Sequence, residues 1–307
     1  GKEVATLVDG VTKIGGLPFR SREEQQAENY RKMLLSMARD VRVILIKFAD
    51  RLHNMRTLEY LPPAKARDVA TETLEVYAPL AHRFGISKIQ WELEDLSLKF
   101  LDPEAYWDLW RKVAQSRGER EEYIRRVVEP LKGELTKAGI KAEITGRPKH
   151  FYSIYTKMKR RNKPFEEIYD LFAIRIITDT VRDCYHALGI VHTLYTPVQE
   201  RFKDYIATPK SNMYQSLHTT VIGPEGRMVE IQIRTQQMHR TAEEGIAAHW
   251  RYKEGKEKED ELDKHMAWLR QVLDWQRDTT DPREFMESLK IDLFKDCLLY
   301  TSPSPRD

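Results

Sequence analysis

The chain has 307 residues, 32% of them charged and 41% hydrophobic, with a formal net charge of +3. That length suits two domains of ordinary size, and the near balance of charge excludes a protein held to nucleic acid by bulk positive charge. No run approaches the length of a membrane span, no signal-peptide pattern opens the chain, and two distant cysteines (Cys184 and Cys297) form no disulfide framework, so the reading is cytoplasmic with no membrane partner.

The chain opens without a Met at GKEVATLVDGVTKIGG, which reads as a piece of a longer protein. Residues 21–100 are helical in pattern throughout. SREEQQAENYRKMLLSMA starts with Ser21 and has Glu24 three residues later, a capping box. DVRVILIKFADRLHNMRTL follows as a core helix, and ARDVATETLEVYAPLAHRFG stops on a glycine. DPEAYWDLWRKV and YIRRVVEPLKGELTKAG continue as charged helices and are expected to form a connector. From residue 140 the texture changes to strand KAEIT, helix FYSIYTKMKRR, buried strand LFAIRIIT and helix VRDCYHALGIVHTLY. SLHTTVIGP and RMVEIQIRT then form a hairpin around Pro224-Glu225-Gly226, and QMHRTAEEGIAAHWRYK is one further helix. The run KEGKEKEDELDK (253–264) reads as a solvated surface or hinge. After Asp296, CLLYTSPSPRD breaks the style of the chain and reads as a non-native tail. The fold expected is α+β, an all-helical domain followed by a mixed-sheet domain.

Three features carry chemistry. Residues 146–163, GRPKHFYSIYTKMKRRNK, hold seven Lys/Arg, one His and no carboxylate. Lys149, Ser153, Lys157 and Arg160 recur at helical spacing on one side, with Ile154 and Met158 opposite. A solvated basic face is the plain alternative, but exposed helices ordinarily mix signs, and this one does not. In VEIQIRT, alternation puts Glu230, Gln232 and Arg234 on one sheet face and Val229, Ile231 and Ile233 on the other. Asp170 stands at the entrance of strand 171–177, from where it could reach the same floor. Two carboxylates beside a cationic helix suit a magnesium–phosphate site. The loop ERFKDYIATPKSNMYQSLH adds Tyr205 and Tyr214 as ring surface among Arg201, Lys203, Lys210, Asn212 and His218. In FADRLHNMRTL, Asp50, His53, Asn54 and Thr57 form a polar stripe, by itself no more than a wet helix face.

In this order, GRPKHFYSIYTKM, YDLFAIRI, RFKDYIATPKSN-x-YQSLHTTV, EIQIRT and EEGIAAHWRYK resemble the synthetase domain of the RelA/SpoT homologue family, and ADRLHNMRTL resembles part of its HD-type hydrolase domain. The resemblance implies an incomplete hydrolase domain with its connecting helices at 1–100 and a nucleotidyltransferase-like synthetase domain at 101–275. It further implies the start of a regulatory region at 276–296, ahead of the non-native tail at 297–307. It implies transfer of the β,γ-diphosphate of ATP to the 3′-hydroxyl of GDP or GTP, giving (p)ppGpp and AMP in the stringent response. By the family pattern Asp170 and Glu230 are catalytic and hold Mg²⁺. Arg147, Lys149, Ser153 and Lys157 bind ATP and its phosphates. Lys203, Lys210, Asn212, Tyr214 and His218 take GDP or GTP, with Tyr214 stacking on guanine. Arg201-Phe202-Lys203-Asp204 matches the basic signature of bifunctional members. The family has Gly before the stacking Tyr, whereas this chain has Met213, which would cost on the order of 1 kcal/mol if the position needs a positive φ. Asp50 matches a Mn²⁺ ligand of the hydrolase, with Arg51, Asn54 and Thr57 as its nucleotide contacts. The other ligands belong upstream of Gly1, so hydrolysis is not expected of this chain. Ribosome or tRNA contact would come only through C-terminal domains that follow. The alternatives are a parent acting mainly as a Mn²⁺-dependent (p)ppGpp hydrolase and, from another class, an RNA-binding module using the basic helix 146–163.

Overall fold

The computed structural model describes residues 1–12, 14, 21–147, 149–167, 173–251, 269 and 281–298. They fall into two compact units, Gly1–Leu93 with the described residues from Ile246 onward, and Glu94–Gly245. The first is all-helical and the second is built on a mixed sheet. No described helix is long and apolar enough to cross a membrane.

The first unit comprises α1 (Lys2–Val11), α2 (Arg22–Arg39), α3 (Val41–Arg56), α4 (Pro63–Glu72), α5 (Ala78–Arg83), the first half of α6 (Ser87–Leu101), α12 (Ile246–Arg251) and α13 (Pro282–Leu298). The expected cap is present: Ser21 Oγ accepts the Glu24 N–H at 3.1 Å. Asp40 ends α2 and caps α3 through the Arg42 N–H, so one carboxylate turns the chain between two helices. Leu34, Met37, Ile44, Phe48, Leu80 and Phe84 are fully buried between them. Between α4 and α5 a π-helical turn, Thr73–Tyr77, interrupts the expected continuous helix. The stop at Gly85 is real, with φ 69°. Residues 276–296 were expected to begin a following region. Within that stretch α13 buries Phe285, Leu289 and Leu293, sets Lys290 2.6 Å from Glu75, and continues through Cys297 and Leu298. The charge run 253–264 and residues 299–307 lie outside the described residues.

The second unit carries the rest of α6, then α7 (Pro103–Gln115), α8 (Arg117–Lys137), β1 (Ala142–Arg147), α9 (Phe151–Arg161), β2 (Ala173–Thr178), α10 (Val181–Leu194), β3 (Thr196–Pro197), β4 (Lys203–Asp204), β5 (Leu217–Ile222), β6 (Met228–Thr235) and α11 (Gln236–Glu244). The sheet runs β1-β2-β6-β5-β3, with β4 also on β5; among the described strands only β2 and β6 pair in parallel. On one face Ile174 and Ile176 of β2, Val229, Ile231 and Ile233 of β6 and Leu217 and Val221 of β5 meet α8 and α10. Each such side chain contributes about 2 kcal/mol by leaving water. Helix α8 is therefore no connector: its Tyr123, Val127, Leu131 and Leu135 are core. The register follows from this burial, since a one-residue slip of β6 would drive Glu230, Gln232 and Arg234 into the apolar layer. The helix expected over 237–253 breaks at Gly245, whose φ 53° and ψ −132° only glycine adopts without strain.

Candidate functional site

The opposite face of the sheet is polar, and strand pairing decides which side chains are neighbours there. Glu230 lies between Ala173 and Thr220, Gln232 between Arg175 and His218, and Arg147 is opposite Ala173. One oxygen of Glu230 accepts the Gln232 amide at 2.8 Å, and the other lies 3.8 Å from Lys149 Nζ. Burial by itself pushes the Glu230 carboxyl up, but Lys149, His218, the Gln232 amide and Arg147 outweigh it and hold it below its ordinary value. Glu230 is thus an ionised carboxylate on a partly buried floor.

Helix α9 supplies the cations. Its apolar side, Ile154 with Tyr155 and Met158, packs on Leu98 and Leu109 of α6 and α7. His150 gives its N-terminus no side-chain cap; Asp95 of α6 accepts the Tyr152 N–H instead, at 2.8 Å. Tyr155 donates to Asp102 at 2.9 Å. So fixed, α9 presents Lys157 beside Lys149. Burial, then Lys149 and Arg161, push the Lys157 ammonium down to about 7, and burial pushes Lys149 down against the pull of Glu230. Ser153 is half-buried, while Arg160 is exposed at the helix end. Crowded, part-buried cations of this kind would be stabilised by a bound anion.

The ring surface sits along β4 and β5. Tyr214 is half-buried, shares a 2.7 Å hydrogen bond with His218 Nε2, and meets Tyr205 edge to face at 6.1 Å. Lys210 Nζ lies 4.7 Å from the Tyr205 ring and 5.3 Å from that of Tyr214. Burial drives His218 down to about 4, so it is neutral at pH 7. Lys203 is exposed on β4 opposite His218. Asn212 is buried in the loop and accepts the Tyr214 N–H at 3.3 Å, which shapes the turn carrying the ring. Met213 has φ 63°, the left-handed region its glycine counterpart would enter freely. Asp204 accepts the Ile206 and Ala207 N–H groups and the Tyr185 hydroxyl, anchoring the loop's start, while Arg201 is exposed.

Asp170 lies outside the described residues. In the first unit, Asp50, His53 and Asn54 are exposed along α3 and Thr57 follows half-buried. Arg51 departs from that stripe: it is buried, paired with Glu72 at 2.8 Å and stacked 3.8 Å over Tyr77.

Residues 146–257 match the model of a region found in RelA / SpoT proteins, and residues 1–87 match an HD domain. A GTP pyrophosphokinase of Myxococcus xanthus is 52% identical over 99% of this chain. The bifunctional (p)ppGpp synthase/hydrolase RelA of Mycobacterium tuberculosis is 54% identical over 92%. The chain belongs to the RelA/SpoT family. A guanosine-3′,5′-bis(diphosphate) 3′-pyrophosphohydrolase of Vibrio cholerae is 49% identical over the whole chain. The chain spans 40%, 39% and 44% of the length of these three RelA/SpoT relatives. Within the RelA/SpoT sheet domain, sequence reasoning passed over Arg175, His239, Glu243 and the helix-capping Asp95. A signal existed for Arg175, the one charged residue in the strand AIRIIT. Asp95 carried none, because its partner is a backbone group far along the chain.

Proposed function

We propose that this chain transfers the β,γ-diphosphate of ATP to the 3′-hydroxyl of GDP or GTP, releasing AMP. The observation that carries the reading is the ionised Glu230 on the polar sheet face, 3.8 Å from Lys149 and on the same face as His218, the partner of Tyr214. In the reaction the 3′-oxygen attacks the β-phosphorus, and the bond from that phosphorus to the α,β-bridging oxygen breaks. The hydroxyl proton passes to Glu230, and AMP leaves with the bridging oxygen. Arg147, Lys149, Ser153 and Lys157 hold the phosphates, and Tyr214 stacks the acceptor base with Lys203, Lys210, Asn212 and His218 around it. Such a transfer needs positioning and positive charge more than covalent chemistry. An ionised, partly accessible carboxylate fits Mg²⁺, which Glu230 and Asp170 would hold and which would neutralise phosphate charge when bound. Among the described residues no three His, Cys, Asp or Glu gather into a metal-binding group, so those around Asp50 do not fit a Mn²⁺ centre.

The test is the purified chain with ATP, labelled GDP and Mg²⁺. Labelled ppGpp and equimolar AMP are expected, and Glu230→Gln should lower the rate at least about a hundredfold with nucleotide binding retained. An RNA-binding module would instead show no turnover and RNA affinity that Glu230→Gln leaves alone and Lys157→Ala with Arg160→Ala weakens.

A further inference from the structure

Beside Tyr214, the polar face runs into a buried group of charges that the proposed transfer does not use. Glu243, on the last turn of α11, meets two guanidiniums with one oxygen: Oε1 is 3.2 Å from Arg175 Nη2 and 3.3 Å from Arg234 Nη2. Arg234 Nη2 also lies 2.8 Å from Nδ1 of His239, one helical turn before Glu243. A guanidinium only donates, so Nδ1 is the acceptor and the imidazole proton sits on Nε2. The Arg234 side chain is 2% exposed, its Nε and that of Arg175 are buried without an acceptor, and its Cζ is 5.7 Å from the Tyr214 ring centroid.

Stability does not account for this group. Buried ion clusters are often no more stable than apolar residues of the same volume, and here one carboxylate answers two cations. What the arrangement does provide is a fixed cation against one particular ring.

We infer that Glu243 is a positioning residue for the guanine-nucleotide side of the site: it holds Arg234 against Tyr214, and Arg234 in turn keeps His239 as the Nε2–H tautomer, so the stacking platform is set before the nucleotide arrives. This rests on the pyrophosphotransfer reading. Glu243→Gln keeps the volume and removes the charge. In that variant the KM for GDP should rise about tenfold while the KM for ATP and kcat stay within about threefold. The double variant Arg175→Met/Glu243→Gln removes the second cation as well, so the melting temperature should recover. Positioning requires that the KM for GDP stay raised in the double variant. If it returns with the melting temperature, Glu243 only neutralises charge and the inference is overturned. If the single variant does not fold, the double variant carries the test alone. An active wild type with an unchanged KM for GDP in Glu243→Gln overturns the inference and leaves the transfer reading standing. A wild type that makes no ppGpp takes down both.

Discussion

At the scale of single residues, Lys157 ties the site to pH. Its ammonium is pushed down to about 7 in the folded chain, by burial and then by Lys149 and Arg161, against 10.5 for an ordinary lysine. Between those values the unfolded chain holds the extra proton, so this group's contribution makes stability rise as pH rises from about 7 toward 10.5. Below pH 7 it is charged in both states, and the cost of burying it is fully present. A triphosphate beside it would restore the proton. ATP binding near pH 8 should therefore take up a proton, which calorimetry in buffers of different ionisation enthalpy would reveal, and Lys157→Met should reduce the uptake. Met213 is the second residue with a measurable consequence. Its φ of 63° costs about 1 kcal/mol for a side-chain-bearing residue, partly offset by the greater freedom glycine would have unfolded. Met213→Gly should leave the melting temperature nearly unchanged and lower the KM for GDP a few-fold; a higher KM would show that the left-handed turn does not limit the platform.

Among elements, α9 is the clearest case of sequence and structure dividing the work. The spacing of Lys149, Ser153, Lys157 and Arg160 against Ile154 and Met158 already gave the helix two faces. It could not say what the apolar face meets, because Leu98, Leu109 and Phe165 come from other segments. Nor could it supply the cap. With no acid in its own first turn, α9 takes Asp95 from α6, whose carboxylate accepts the Tyr152 N–H at the helix N-terminus. Asp95→Ala should cost about 1 kcal/mol in urea unfolding and raise the KM for ATP, with the KM for GDP unmoved. An unchanged KM for ATP would show that the phosphate cations keep their place without this cap. The same logic separates α8 from its expected role. Tyr123, Val127, Leu131 and Leu135 recur at helical spacing, but only the sheet they cover made them core.

For the whole molecule, the boundary differs from the one the motifs suggested. A synthetase segment of 101–275 was expected, whereas the sheet-bearing unit is Glu94–Gly245, and α13 buries its apolar face in the other unit. The sheet unit has its own core and its own polar face, so residues 87–245, with α6 kept whole, should unfold in one cooperative transition by heat; a gradual melt would show that the unit does not stand alone.

The chain's order of residues was enough to determine the main element types, the two-fold alternation that sets Glu230, Gln232 and Arg234 apart from Val229, Ile231 and Ile233, and the family, because periodicity and motif spacing are local properties. Only the tertiary structure decided that Arg147, Lys149, Glu230 and His218 share a floor, that Arg51 turns inward to Glu72 and Tyr77, and that Glu243 joins Arg175 to Arg234. Those pairings join residues brought close by strand register and helix packing, and burial, which sets their charge states, does not exist until the chain has closed on itself.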